Sequence, residues 1–159
     1  MKIIKISAII VLCLLLFAGC ASTDKGSATD IADHIKELSP ANVTWAEIDR
    51  SKISTYFGVS DSYVTDFKGY INSSEVHFDI VAVFEFEGQD ERDAIINGTK
   101  TLTKQMSGNY SLVNADEAKK IDNMLLFETD KFIIFSVTDS SSQTLEYLTE
   151  TLKATKITT

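Results

Sequence analysis

Histidine, cysteine, glycine and proline are all scarce in this chain, and each shortage excludes something. Seven glycines among 159 residues stand singly, so no glycine-rich loop is available to cradle a phosphate. The two histidines, His34 and His77, have no carboxylate or cysteine beside them at a metal-ligand spacing. No G-x-S-x-G turn offers a serine nucleophile, and no acidic run has the alternation, central glycine and closing glutamate of a calcium loop. Paired acids at Asp90-Glu91 with Asp93, and at Asp116-Glu117, suit the positive end of a helix dipole. Basic charge is also short: 15 Lys and Arg face 23 Asp and Glu, which argues against nucleic acid and against electrostatic adhesion to an anionic membrane. No catalytic constellation, metal site or cofactor site is legible, and the chain reads as a non-enzyme.

What is present begins at the N-terminus. Met1-Lys2-Ile3-Ile4-Lys5 opens a positive segment, residues 6–17 are apolar except Ser7, and Ala18-Gly19-Cys20 closes it. The apolar core is too short for a spanning helix of about 20 residues and has the length of a cleaved signal. The small residues before Cys20 resemble a bacterial lipoprotein signal, with Phe17 where a large aliphatic residue is usual. The alternative is an ordinary signal cleaved nearby, with Cys20 incidental. On the lipoprotein reading, residues 1–19 are a signal peptide and Cys20 is lipidated. Its diacylglyceryl thioether supplies the two chains that stable anchoring requires. The protein is then expected at the outer face of the cytoplasmic membrane. Cys13 leaves with the signal, so no disulfide is possible and packing alone must hold the fold. Lysine far outnumbers arginine, which leans on AT-rich codons and points to a low-GC, Gram-positive source.

Residues 20–28 (CASTDKGSA) are small and polar and read as a tether; residues 29–159 read as a single α+β domain. Ser27-x-x-Asp30 resembles a capping box before a helix carrying Ile31, Ile35 and Leu38, which Pro40 stops. Residues 43–48 are ambiguous between strand and turn, and 52–57 read as a short strand. Ser60-Asp61 can cap one helical turn. Strands are expected over 66–71 and, most strongly, over 78–86. A helix follows from Asp90, with Ile95, Thr99, Leu102 and Met106 on one stripe and Gly108 as its end. A shorter helix is expected over 115–121. Strands over 124–128 and 131–137, turned by Thr129-Asp130, precede a last helix capped by Asp139 and its following serines, with Leu145, Leu148 and Leu152 buried. The fold expected is an antiparallel sheet of four or five strands with two main helices on one face, arranged as two ββα halves over 66–107 and 123–153.

Four segments resemble the small Gram-positive lipoproteins grouped as domain of unknown function 4358: "YFGVSDSYV", "DIVAVFEFEGQDERDAI", Tyr110 leading to "ADEAKKIDN", and "DKFIIFSVTD". The chain departs from that pattern at Leu112, where a proline is common two residues after the tyrosine, and at Asp130, where glycine often turns the last hairpin. The resemblance implies an exported lipoprotein domain and carries no catalytic residue.

The remaining signal is apolar. Val81, Val83, Phe132 and Ile134 alternate against the residues assigned to the main core and must project from the opposite sheet face. A sheet with one wet face would alternate with polar residues there. Either the first helix and the Trp45 region cover these four, which we favour, or they form a partner-binding face. The function expected is that of a non-enzymatic domain binding an unknown protein partner; the alternative is an accessory, small-molecule-binding lipoprotein of a transporter.

Overall fold

The structure, a computed structural model, describes residues 26–158; the signal segment and Cys20 lie outside the described residues. Helix α1 (Ala28–Glu37) starts as the sequence implies. The Ser27 hydroxyl accepts from the Asp30 amide at 3.2 Å, and the Asp30 carboxylate accepts from the Ser27 amide at 2.9 Å. Ala28, assigned to the tether, is instead fully buried as the first residue of α1.

Strand β1 (Ala46–Glu47) resolves the ambiguous segment. The stretch expected as a strand over 52–57 is helical: a 3-10 turn at Arg50–Lys52 runs into helix α2 (Ile53–Phe57). Asp49 starts the turn by accepting from the Ser51 amide at 2.8 Å. Ile53 and Phe57 then share one helical face, and both are buried. Gly58 ends α2 with φ at 65°, in the left-handed region that favours glycine. Ser60 caps a second 3-10 turn, Asp61–Tyr63.

Strands β2 (Phe67–Ser73) and β3 (Phe78–Glu85) form the first hairpin, and α3 (Gln89–Tyr110) follows. Helix α3 runs through Gly108 to Tyr110, because Tyr110 is buried against Phe78 and its hydroxyl is anchored on the β2–β3 connection. Helix α4 (Ala115–Asp122), β4 (Leu125–Glu128), β5 (Phe132–Val137) and α5 (Ser141–Glu146) complete the main pattern. A π-helical turn, Tyr147–Thr151, extends α5 before the edge strand β6 (Thr155–Lys156).

The class is α+β with an antiparallel sheet, as expected, but with six strands in the order β1-β2-β3-β5-β4-β6. The two extra strands are two-residue edges. Helices occupy both faces rather than one. On the first face α2, α3 and α4 place Ile53, Phe57, Ile95, Leu102 and Ile121 over Phe78, Ile80, Phe84, Ile133 and Phe135. On the second, α1 supplies Ile31, Ala32 and Ile35, and the C-terminal helix supplies Leu148 and Leu152. Helix α1 is about 15 Å long and contacts chiefly β2 and β3. The β4–β5 half of that face remains, and the C-terminal helix fills it. Leu145, expected in its buried stripe, is 40% exposed; Thr144 and Leu148 point inward instead.

The two hairpins meet along β3 and β5, which pair antiparallel. A two-fold rotation exchanging those strands would lie normal to the sheet and keep α3 and α5 on one face. They lie on opposite faces, so the two ββα halves share an order in the chain and not a symmetry in space.

The four residues weighed as an interaction face, Val81, Val83, Phe132 and Ile134, are fully buried beneath α1 and the C-terminal helix. They are core and present no surface. Trp45 packs at the edge of this cover, and Tyr70 ties it down by donating to the Asp33 carboxylate while Lys36 sits 4.0 Å over its ring.

Candidate functional site

The sheet has two unlike ends. At one, the chain enters: the Ala28 amide donates to the Asp66 carboxylate at 3.3 Å, just before β2 begins. At the other lie the β2–β3 connection, the α3–α4 connection and the start of α5. The eight residues of β3 separate these ends by roughly 23 Å.

The far end is pinned by side chains. Asn114 caps α4 by accepting from the Glu117 amide at 3.2 Å, and its own amide donates to the Val76 carbonyl at 3.0 Å. The Tyr110 hydroxyl reaches the carbonyls of Ser74 (2.6 Å) and His77 (2.8 Å). These bonds hold three apolar side chains out in solvent: Leu112 is 86% exposed, Val113 64% and Val76 48%. Beside them runs a groove of about 270 Å³ lined by Glu75, Met106, Asn109, Tyr110 and Val113.

Next to the apolar tip is a buried ionic cluster centred on Lys120. Its ammonium lies 2.5 Å from Glu117, 2.9 Å from Asp79 and 3.4 Å from Asp139. Glu117 also accepts from the Phe78 amide at 2.8 Å, and Asp79 from the Asn72 side chain at 3.1 Å. Burial opposes the charge on Glu117 more than any other single influence. The Lys120 ammonium and the Phe78 N–H together outweigh it and hold the carboxyl below its ordinary range. For Lys120, burial likewise acts against the charge, and its carboxylate partners reverse that to raise the ammonium. Both groups stay charged at neutral pH. They suit a fixed electrostatic role and not proton transfer, which needs a pKa near the working pH.

A cavity of about 130 Å³ opens against this cluster, lined by Lys120, Asn123, Ser136, Val137, Thr138 and Ser141. Ser136 is 1% exposed, and its hydroxyl has no hydrogen-bond partner.

Several of these residues escaped sequence reasoning. Glu117 reads as a helix-start acid beside Asp116, but only Asp116 faces solvent. His77, which has no metal-ligand spacing to a carboxylate in the sequence, has Glu117 at 3.5 Å in space. The signal that could have found the cluster is Asp79, a charge on the same strand face as buried Val81 and Val83. His34 lies against Tyr147 with ring centres 4.1 Å apart and planes tilted by 38°. Asp90 and Glu91 lie in the first turn of α3, where its dipole accounts for them. Ser140 takes the N-cap position of α5 without capping it; its hydroxyl lies 3.3 Å from that of Thr138. Among the described residues no group of three His, Cys, Asp or Glu is placed to hold a metal ion, and no helix is long and apolar enough to cross a membrane. Compared with family models, curated proteins and solved structures, the chain matches none.

Proposed function

We propose that this chain is a lipoprotein fixed through Cys20 to the outer face of the cytoplasmic membrane, and that its domain is a non-enzymatic module that binds a protein partner. The observation that carries the reading is the trio Leu112, Val113 and Val76, exposed together at the end opposite the chain's entry. Exposed large aliphatic residues set side by side on pinned loops are a feature of contact surfaces. From Cys20 to Ser27 the chain can reach at most about 25 Å. An anchor at Cys20 would therefore keep the entry end near the membrane and turn the apolar tip outward. The partner we infer offers an apolar side chain to the groove, with basic residues around it to meet exposed Glu75 and Asp116 on a chain of net charge −8.

Two experiments test this. Cys20→Ala should move the protein from the membrane fraction to the medium, or leave it unprocessed; a cleaved variant that stays membrane-bound defeats the anchor. A photo-crosslinking residue at 112 or 113 should give one protein adduct in living cells, lost with Val76→Asp, while the same residue at Lys52 on the entry side gives none. Absence of an adduct from the tip, or the same adduct from position 52, defeats the docking role.

A further inference from the structure

Helices α3 and α4 border a groove of about 310 Å³ lined by Lys100, Thr103, Lys104, Ser107, Asp122 and Met124, on a different face of α3 from the groove at the apolar tip. Its volume lies at the lower end of the range for small-molecule sites, roughly 300–1,000 Å³. Both helices carry charge there that their own structure disfavours. Lys100 and Lys104 are one turn apart in α3 and lie side by side, a like-charge pair that weakens a helix. Asp122 is the last residue of α4, where a negative charge opposes the helix dipole.

These charges do not neutralise one another within the chain. Among the described residues, neither lysine has a carboxylate within 4.0 Å. The side chains of Lys104, Ser107 and Asp122 have no hydrogen-bond or ion-pair partner there either. Lys100 donates one hydrogen to the Thr158 carbonyl at 2.9 Å, which leaves two more on its ammonium. Thr103 and Met124 are buried between the charged walls. The Thr103 hydroxyl is already engaged by the Thr99 carbonyl and the Met124 sulfur, so the floor offers no free donor. The groove thus has a positive wall on α3, a negative wall on α4 and a thioether beneath. A simple anion gains from the lysines but is repelled by Asp122, and a simple cation meets the reverse. A zwitterion is met by both walls.

We propose that this groove binds a free α-amino acid with an apolar side chain. Its carboxylate accepts from the Lys100 and Lys104 ammoniums and the Ser107 hydroxyl, bonds strengthened by charge. Its ammonium donates to Asp122, and its side chain rests on Met124, a residue that adapts to irregular apolar shapes. The site is separate from the apolar tip and does not depend on the docking role argued for it.

The test is a titration of the full chain, purified in detergent, followed by calorimetry and by amide chemical shifts. The probe is L-leucine, with 4-methylpentanoate and 3-methylbutylamine as counterparts that keep its side chain but carry only the carboxylate or only the ammonium. Leucine should bind and move the amides of residues 100–107 and 122–124, and each counterpart should bind at least tenfold more weakly. Lys104→Gln should weaken leucine by roughly tenfold, the loss of one hydrogen bond between charged groups. Asp122→Asn should weaken leucine to a similar extent and leave 4-methylpentanoate no weaker than before, because a repelling charge has gone. Both side chains are exposed and unpaired, so neither substitution should disturb the fold. Binding of 4-methylpentanoate as tight as that of leucine (a site for anions only), leucine binding undiminished by either substitution, or no response to leucine overturns the proposal. Leu112→Asp touches no residue of this groove and should bind leucine normally, so the two proposals fail separately.

Discussion

Gly98 and Gly108 lie in the same long helix, and the structure sets opposite expectations for replacing them. Alanine is a better helix former than glycine by about 1 kcal/mol, so propensity alone makes both substitutions stabilising. At Gly108 nothing lies within 4 Å of an added Cβ, and Gly108→Ala should gain roughly 0.5–1 kcal/mol. At Gly98 an added Cβ would meet the carbonyl oxygen of Phe57 at 2.2 Å and a Val59 methyl at 2.8 Å. The nearer atom is backbone, at the end of α2, and it cannot step aside as a flexible side chain would. Relief requires α2 to move off α3, which disturbs Phe57 and its edge-on contact with Phe84. Overpacking of this kind costs about 1–3 kcal/mol. A backbone atom at 2.2 Å puts the cost in the upper part of that range, so after the propensity gain Gly98→Ala should lose about 1–2 kcal/mol. Urea unfolding of the two variants beside the parent chain reads the difference, with the midpoint rising for Gly108→Ala and falling for Gly98→Ala. A Gly98→Ala chain as stable as the parent would refute the close approach of α2 to α3.

Phe84→Ala removes a fully buried ring from the centre of the first face and should cost about 3–5 kcal/mol in denaturant melts; a loss below about 1 kcal/mol would mean that β3 is misplaced. Glu117 has a depressed pKa when folded, so its contribution to stability is present above its ordinary value of 4.5 and lost as pH falls below that. Thermal melts of the parent should therefore decline with acid over that window, and Glu117→Gln should flatten the decline. Deleting residues 21–40 strips α1 from Val81, Val83 and Tyr70, and the product should be destabilised and bind an apolar dye. A stable, dye-free, monomeric product would show that α1 is not the cover.

The capping box at Ser27 and Asp30, the alternation of β3, the Thr129-Asp130 hairpin and the long apolar-striped α3 were readable in the sequence, because each is local and its signal falls within a turn or two of chain. So was the conclusion that Val81, Val83, Phe132 and Ile134 leave the main core, since alternation along a strand admits no other geometry. The favoured cover, the first helix with the Trp45 region, does lie over part of this face, but the share taken by the C-terminal helix was not readable. The C-terminal helix covers the β4–β5 half of that face because α1 is too short to do so, a matter of summed areas. The helical Ile53–Phe57 segment was lost for a related reason. Five residues carry too little periodicity to separate helix from strand, and burial against α3 decides it. The candidate sites were the least legible. Glu117, Lys120, Asp79 and Asp139 are scattered over 61 positions of chain, and all but Asp79, which shares a strand face with Val81 and Val83, pass for solvated surface charges. Folding brings three carboxylates around one ammonium beside an orphan serine, a meeting of distant residues that no local pattern records. The apolar tip follows the same rule: Val76 and Leu112 stand 36 residues apart and become neighbours through one amide of Asn114. The sequence determined the elements, because hydrogen bonding and hydrophobic period act between near neighbours. The tertiary structure decided faces, cover and sites, because those depend on which distant surfaces exclude water together.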